Sequence, residues 1–121
     1  MFALIIFCPM SAQAKTENQT EDIESHRVLF ISSYSYAWST VPLQIEGIQS
    51  ELESSVTLDI EFMDTKKIKM KMAEQITLEK IRYKQRNSGA YDAVIVGDDA
   101  ALVFAMKYKK TLFKEGYSYC I

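Results

Sequence analysis

Residues 27–52 read RVLFISSYSYAWSTVPLQIEGIQSEL. Val28, Leu29, Phe30 and Ile31 form a continuous apolar run, which predicts a strand covered on both faces. Ser32 and Ser33 end it, and a loop of hydroxyls and rings follows, Tyr34-Ser35-Tyr36-Ala37-Trp38-Ser39. Val41, Ile45, Ile48 and Leu52 then recur at helical spacing, with Glu46, Glu51 and Glu53 on the solvent side. Pro42 suits a first helical turn, and Ser39 or Thr40 is expected to cap it. Gly47 costs about 1 kcal/mol against Ala inside a helix, and close packing on the sheet would explain it.

The same strand-then-helix unit recurs twice downstream. Val56, Leu58, Ile60 and Phe62 alternate with Thr57, Asp59 and Glu61, which predicts a strand with one buried face near a sheet edge. A helix is expected over 69–85, with Met72, Ala73 and Ile76 toward the core, stopped by Asn87-Ser88-Gly89. A third strand is expected over 91–96. Asp98 and Asp99 then open a third helix, one of them as its N-cap, with Ala101, Phe104, Ala105 and Tyr108 as the apolar face. Strands that end in polar residues and run into helices predict an α/β fold, a three-layer parallel sheet with a site at its carboxyl edge. The first strand is expected between the other two.

The chain has 121 residues, 48% of them hydrophobic and 25% charged, as in one modest globular domain. Its net charge of −2 gives no reason to expect nucleic acid. Charge is uneven. Eight of the 14 basic residues lie within 66–86, and ten of the 16 acids lie at or before Asp64. The basic stretch reads as a solvated helix face.

Residues 1–14 are expected to be a secretory leader. Residues 2–7 form a short apolar run, and Ala12-Gln13-Ala14 has the small-x-small form of a cleavage site. No basic residue precedes the run, so the leader is expected to be incomplete. The alternative is a buried N-terminal strand, against which stand Pro9 and the polar stretch 15–25. Residues 15–26 are expected to be a polar linker, and 27–121 a partial N-terminal α/β lobe. Cys8 falls in the leader, where Phe7 makes a poor lipidation box. Cys120, then alone, gives neither a disulfide nor metal spacing and is expected in a buried strand.

Three polar clusters carry the candidate chemistry. The 32–39 loop offers hydroxyls and three rings between a strand end and a helix N-terminus, where free N–H groups favour an anionic ligand group. It is not Gly-rich, so neither a Walker loop nor a dinucleotide fingerprint is present, and no cofactor is expected. Asp64-Thr65-Lys66 reads equally as a ligand contact or as a turn with a helix cap. Of Asp98 and Asp99, the one not capping the helix is free to hold a ligand amine or hydroxyl. Ligand binding without catalysis is expected, since no nucleophile stands beside a base, and His26 lies at the wrong end of the sheet. The competing reading is a cation-dependent α/β enzyme using Asp64, Asp98 and Asp99. A receiver domain would want paired acids after the first strand and a single Asp after the third, the reverse of what stands here.

Val28-Leu29 running into Ser33-Tyr34, then Trp38, then Ile45-Glu46-Gly47-Ile48 form one part of a wider pattern. Phe62-Met63-Asp64-Thr65-Lys66 and the run from Tyr91 to Ala101, YDAVIVGDDAA, complete it. Together these resemble the ABC-transporter substrate-binding-protein-like family, with the type 1 periplasmic binding fold. Its members include free binding proteins and the extracytoplasmic sensor domains of histidine kinases and diguanylate cyclases. The resemblance covers about residues 27–113. It implies two lobes closing on a small-molecule solute, with this chain as the first half of the N-terminal lobe. It also implies that Ser33, Tyr34, Trp38, Asp98 and Asp99 line the cleft.

The implied partners are the solute, a second lobe, and a membrane transporter or downstream kinase or cyclase domains. The implied location is periplasmic or extracytoplasmic. Residues 115–121 depart from the family, where a Pro-containing strand and a Gly-rich turn would follow, so a fragment is expected. A frameshift or premature stop near Glu115 is one explanation. One lobe supplies one wall of such a cleft, so the chain alone is not expected to hold a solute tightly.

Overall fold

The computed structural model describes residues 4–9, 25–113 and 117–120, with side chains over 25–113. Its centre is strand β2 (His26–Ser32). Period-2 alternation sends Leu29 and Ile31 to one face and Val28 and Phe30 to the other, and all four are buried. Each fully buried side chain of this kind contributes about 1.5–3 kcal/mol. Strand β3 (Val56–Phe62) pairs parallel on one side, with Phe30 opposite Ile60. Strand β4 (Ala93–Gly97) pairs parallel on the other, with Phe30 opposite Ile95. The first strand of the parallel trio therefore lies between the other two, as its sequence predicts.

The sheet is mixed rather than wholly parallel. Strand β1 (Leu4–Pro9) lies antiparallel against the far side of β4, from Leu4 opposite Gly97 to Phe7 opposite Val94. Strand β5 (Tyr117–Cys120) lies antiparallel against β1. The order is β3-β2-β4-β1-β5. The apolar run expected as a leader core thus forms a strand in the uncut chain, the alternative its sequence also allows. Linker residues 15–24 lie outside the described residues, as does the burial of Cys120.

Helix α1 (Thr40–Glu51) covers one face, packing Val41, Ile45 and Ile48 on Val28, Phe30 and Ile95. Helices α2 (Met70–Ser88), α3 (Asp98–Lys107) and α4 (Lys109–Leu112) cover the other. There Ala73, Ile81, Ala101, Phe104 and Ala105 meet Leu29, Ile31, Val94 and Val96. Tyr108 packs partly buried beside them. This is a three-layer α/β unit. No helix among the described residues is long and apolar enough to cross a membrane.

The two faces differ in chemistry, and this corrects two sequence expectations. The polar side of β3 is open to solvent at Thr57 but closes toward its carboxyl end. Glu61 is 5% exposed beneath α2, with Lys84 Nζ 2.6 Å from Oε1 and Lys80 Nζ 4.0 Å from Oε2. Glu74 of α2 is likewise buried and accepts from Lys107 Nζ of α3 at 2.8 Å. That hydrogen bond, with the charge of Glu74, raises the pKa of Lys107. Helix α2 accordingly turns Ala73, Glu74, Thr77 and Ile81 inward, while Met72 and Ile76 stay exposed. A pattern that treats every Glu as outward places this face about one residue off, near 100° of rotation.

The glycines and caps also differ from expectation. A Cβ on Gly47 would touch nothing, so no close packing requires glycine there. The close approach is at Gly97, where a Cβ would come within 2.9 Å of Phe30 Cζ. Ser39 does stand at the N-cap of α1 but makes no side-chain cap bond. The N-cap of α3 is Gly97, and both Asp98 and Asp99 fall within the first turn. Their charges there suit the positive end of the helix without capping it. Helix α2 continues past the expected end at Gln85, through Asn87 and Ser88, and stops at Gly89 as its C-cap.

Candidate functional site

The carboxyl ends of β2, β3 and β4 meet at one edge, and Ser33 ties them together. Its N–H donates to Gly97 O at 3.0 Å, and its carbonyl accepts from Thr65 N–H at 2.9 Å. Thr65 Oγ1 donates to the same carbonyl at 2.8 Å. Ser33 Oγ donates to Gly97 O at 2.7 Å and accepts from Ala101 N–H at 2.8 Å. The hydroxyl thereby bridges two groups that a first helical turn would otherwise join directly. Ser33 is wholly buried, so it serves as the internal clamp of this edge rather than as part of its surface.

Around that clamp the backbone is strained. Asp64 has φ 55° and Asp98 has φ 69°, both in the left-handed region. Such a conformation costs an L-residue roughly 1–2 kcal/mol, less for Asp, and clusters at functional sites. Asp64 makes the expected turn, its carbonyl accepting from Lys67 N–H at 3.0 Å and Ile68 N–H at 2.9 Å. The cap of α2 is Lys69 instead. Among the described residues, the carboxylates of Asp64, Asp98 and Asp99 make no hydrogen bond or ion pair. Gln44 Oε1, beside Gly97, is buried with no hydrogen-bond partner among them either.

The aromatic loop is held by two turn bonds, Trp38 N–H to Ser35 O and Val41 N–H to Trp38 O, each 3.0 Å. Tyr34 and Trp38 lie 5.4 Å apart between ring centres, tilted by 44°. Lys66 Nζ stands over both, 4.6 Å from the Trp38 centre and 5.1 Å from that of Tyr34. Tyr36 leans edge-on toward Phe62 at 6.4 Å. Trp38 is 43% exposed and Tyr36 60%, so these rings face solvent over the strand ends.

The six residues that sequence reasoning singles out thus share one edge. Tyr34, Trp38, Asp64, Asp98 and Asp99 retain some exposure, and Ser33 supports them from within. Lys66 and Gln44 are the additions. Lys66 belongs to a cluster visible in the sequence, but its seat on rings at the neighbouring strand's end is not. No group of three or more His, Cys, Asp or Glu among the described residues is placed to hold a metal ion. Elsewhere among the described residues lie surface hollows. One of about 600 Å³ includes Arg82, Gln85, Arg86 and Leu112 in its wall, and one of about 560 Å³ includes Glu61, Tyr83 and Lys84.

The amino-terminal half of the sheet has the opposite character. Arg27 Nη2 donates to Asp59 Oδ2 at 2.8 Å, and Tyr91 Oη donates to the same oxygen at 2.6 Å. The Arg27 guanidinium stacks 4.5 Å over the Tyr91 ring and also bonds Gly89 O. Arg27 N–H donates to Asp92 Oδ2 at 2.8 Å, and His26 Nδ1 lies 3.6 Å from that oxygen. Burial alone would raise the pKa of Asp59. The hydrogen bonds from Tyr91 and Arg27, with the charges of Lys84 and Arg27, outweigh it and hold the carboxyl below its usual value. Burial and the Asp59 carboxylate push the Tyr91 phenol well up.

No family model, curated protein or solved structure matches the chain.

Proposed function

We propose that this chain is part of an extracytoplasmic small-molecule binding domain, and that its carboxyl sheet edge is one wall of the solute site. On this reading the chain is the first half of the N-terminal lobe of a type 1 periplasmic binding fold, with residues 1–14 a leader. The parent is either the binding subunit of an importer or the input domain of a membrane signalling protein. It binds its solute without transforming it.

The observation that carries the reading is the contrast within one edge. Two aspartates are held in the left-handed region, and among the described residues three carboxylates stand without partners at the same edge as exposed rings. Unpaired polar groups on a strained, internally clamped frame suit a ligand better than they suit folding. Ligands of open parallel sheets bind outside the carboxyl ends of the strands. The enzyme alternative needs Asp64, Asp98 and Asp99 to share a cation, and they form no such group.

Chemical-shift mapping of the isotopically labelled full chain against a panel of charged, zwitterionic and neutral solutes tests this. One wall gives weak binding, so solutes are taken to tens of millimolar. Saturable shifts confined to 33–38, 64–66 and 97–101 are expected for at least one solute. No saturable shift, or shifts around Arg82 and Gln85 instead, would overturn the reading. The coding sequence following residue 121 separates the two parent roles. A transmembrane helix with a kinase or cyclase domain means sensor, and a stop after a second lobe means importer.

A further inference from the structure

The ligand class follows from what the edge lacks. Among the described residues, its acidic groups, the carboxylates of Asp64, Asp98 and Asp99, have no hydrogen bond or ion pair, and the buried Gln44 Oε1 is a further acceptor without a partner. Its one cation engaged at the rings, Lys66, makes no ion pair with those carboxylates. It lies instead over Tyr34 and Trp38. Two tilted rings around an ammonium is the arrangement by which proteins recognise organic cations. Lys67 and Lys69, exposed on the same loop, contact neither ring.

We infer that the Tyr34–Trp38 pair is a recognition site for an organic ammonium group, and that Lys66 is its built-in placeholder. The inference rests on the carboxyl edge being the solute site and names the solute's chemistry. When a ligand ammonium enters, it takes the two ring faces that Lys66 occupies. Lys66 is exposed and its four-carbon stem lets it swing aside into water. The unpaired carboxylates then hold the ligand's positive charge, and any N–H it carries finds acceptors already in place. An anionic ligand would have to approach three uncompensated carboxylates, which makes it the wrong partner for this wall.

The chain contains one tryptophan, Trp38, so its emission reports the site directly. The full chain is titrated with tetramethylammonium chloride at constant ionic strength, with sodium chloride as the blank and sodium acetate as the anionic arm. Tetramethylammonium should change Trp38 emission saturably, and acetate should not. Lys66→Met removes the internal competitor and should tighten tetramethylammonium binding about two- to fivefold, the strength of one exposed cation–π contact. Lys67→Met removes the same charge from the same loop without touching the rings, and should give less than half that gain. Lys66→Gln replaces the methionine variant if that one aggregates.

Equal gains from the two lysines would reduce the effect to general charge and overturn the placeholder. An unchanged or weaker affinity in Lys66→Met, or no saturation by tetramethylammonium, would overturn it as well. Saturation by acetate that is lost in Lys66→Met would make Lys66 an anion ligand. The cation class would then fall while the edge remained a solute site. Solute shifts absent from the whole edge are the separate result that removes the site itself.

Discussion

The two ends of the parallel sheet use the same residue types in opposite ways. Toward the amino end, Asp59 and Asp92 each accept from Arg27, Asp59 also from Tyr91, and the group closes on itself. At the carboxyl end, the carboxylates of Asp64, Asp98 and Asp99 have no partner among the described residues, and two of these aspartates sit in a conformation that costs energy. A carboxylate with two donors stabilises a fold. One without any, near others of its sign, weakens it slightly and stays free for something outside the chain. The difference separates carboxylates bonded within the fold from carboxylates that the described fold leaves unbonded.

The largest effect should come from opening the closed end. Arg27→Met strips Asp59 of its guanidinium and should cost about 2–3 kcal/mol by urea denaturation. That is the low end for a buried pair, because the Asp59 side chain keeps 25% exposure. The same pair makes stability depend on acid. Asp59 titrates below its ordinary 3.8, so its contribution is complete above that pH and is lost as pH falls through the lower folded value. Arg27→Met should therefore flatten the acid limb of stability against pH. An acid limb as steep as that of the parent would show that other carboxylates govern it.

Ser33 is the exception that sharpens the contrast, because it lies at the open end but works as the closed end does. Ser33→Ala leaves the Ala101 N–H without its acceptor and should cost about 1–2 kcal/mol. A neutral result would mean that α3 does not depend on β2 for its first turn.

Gly47→Ala should act in the other direction. The position is exposed and open, so alanine should stabilise by about 0.4–1 kcal/mol, read as a rise in the urea midpoint. A loss there would restore the packing role that its sequence position suggests.

The fold was legible where burial is purely apolar. The run of Val28, Leu29, Phe30 and Ile31 has no polar interruption, so its central place in the sheet could be read directly. Val41, Ile45 and Ile48 gave α1 its buried face in the same way. Legibility failed where charge is buried. Glu61 and Glu74 look solvent-facing to any hydrophobic count, and only lysines distant in sequence make their burial tolerable. The antiparallel place of Leu4–Pro9 was hidden for a different reason, since a short apolar run suits a leader core and a strand equally. At the candidate site, residue types and strand ends placed the six residues at one common edge. The left-handed backbone at Asp64 and Asp98, the burial of Ser33, and the seat of Lys66 over Tyr34 and Trp38 depend on contacts between separate strand ends.

The central claim, that the carboxyl-edge carboxylates serve a ligand rather than the fold, has one direct test. The variant Asp64→Asn, Asp98→Asn, Asp99→Asn keeps side-chain size and tolerates the left-handed backbone. Its urea-unfolding free energy should lie within about 1 kcal/mol of the parent chain. The loss of two charges from the first turn of α3 is partly offset by relief of repulsion. A loss as large as that of Arg27→Met would contradict the account, because it would make these carboxylates part of what holds the molecule together.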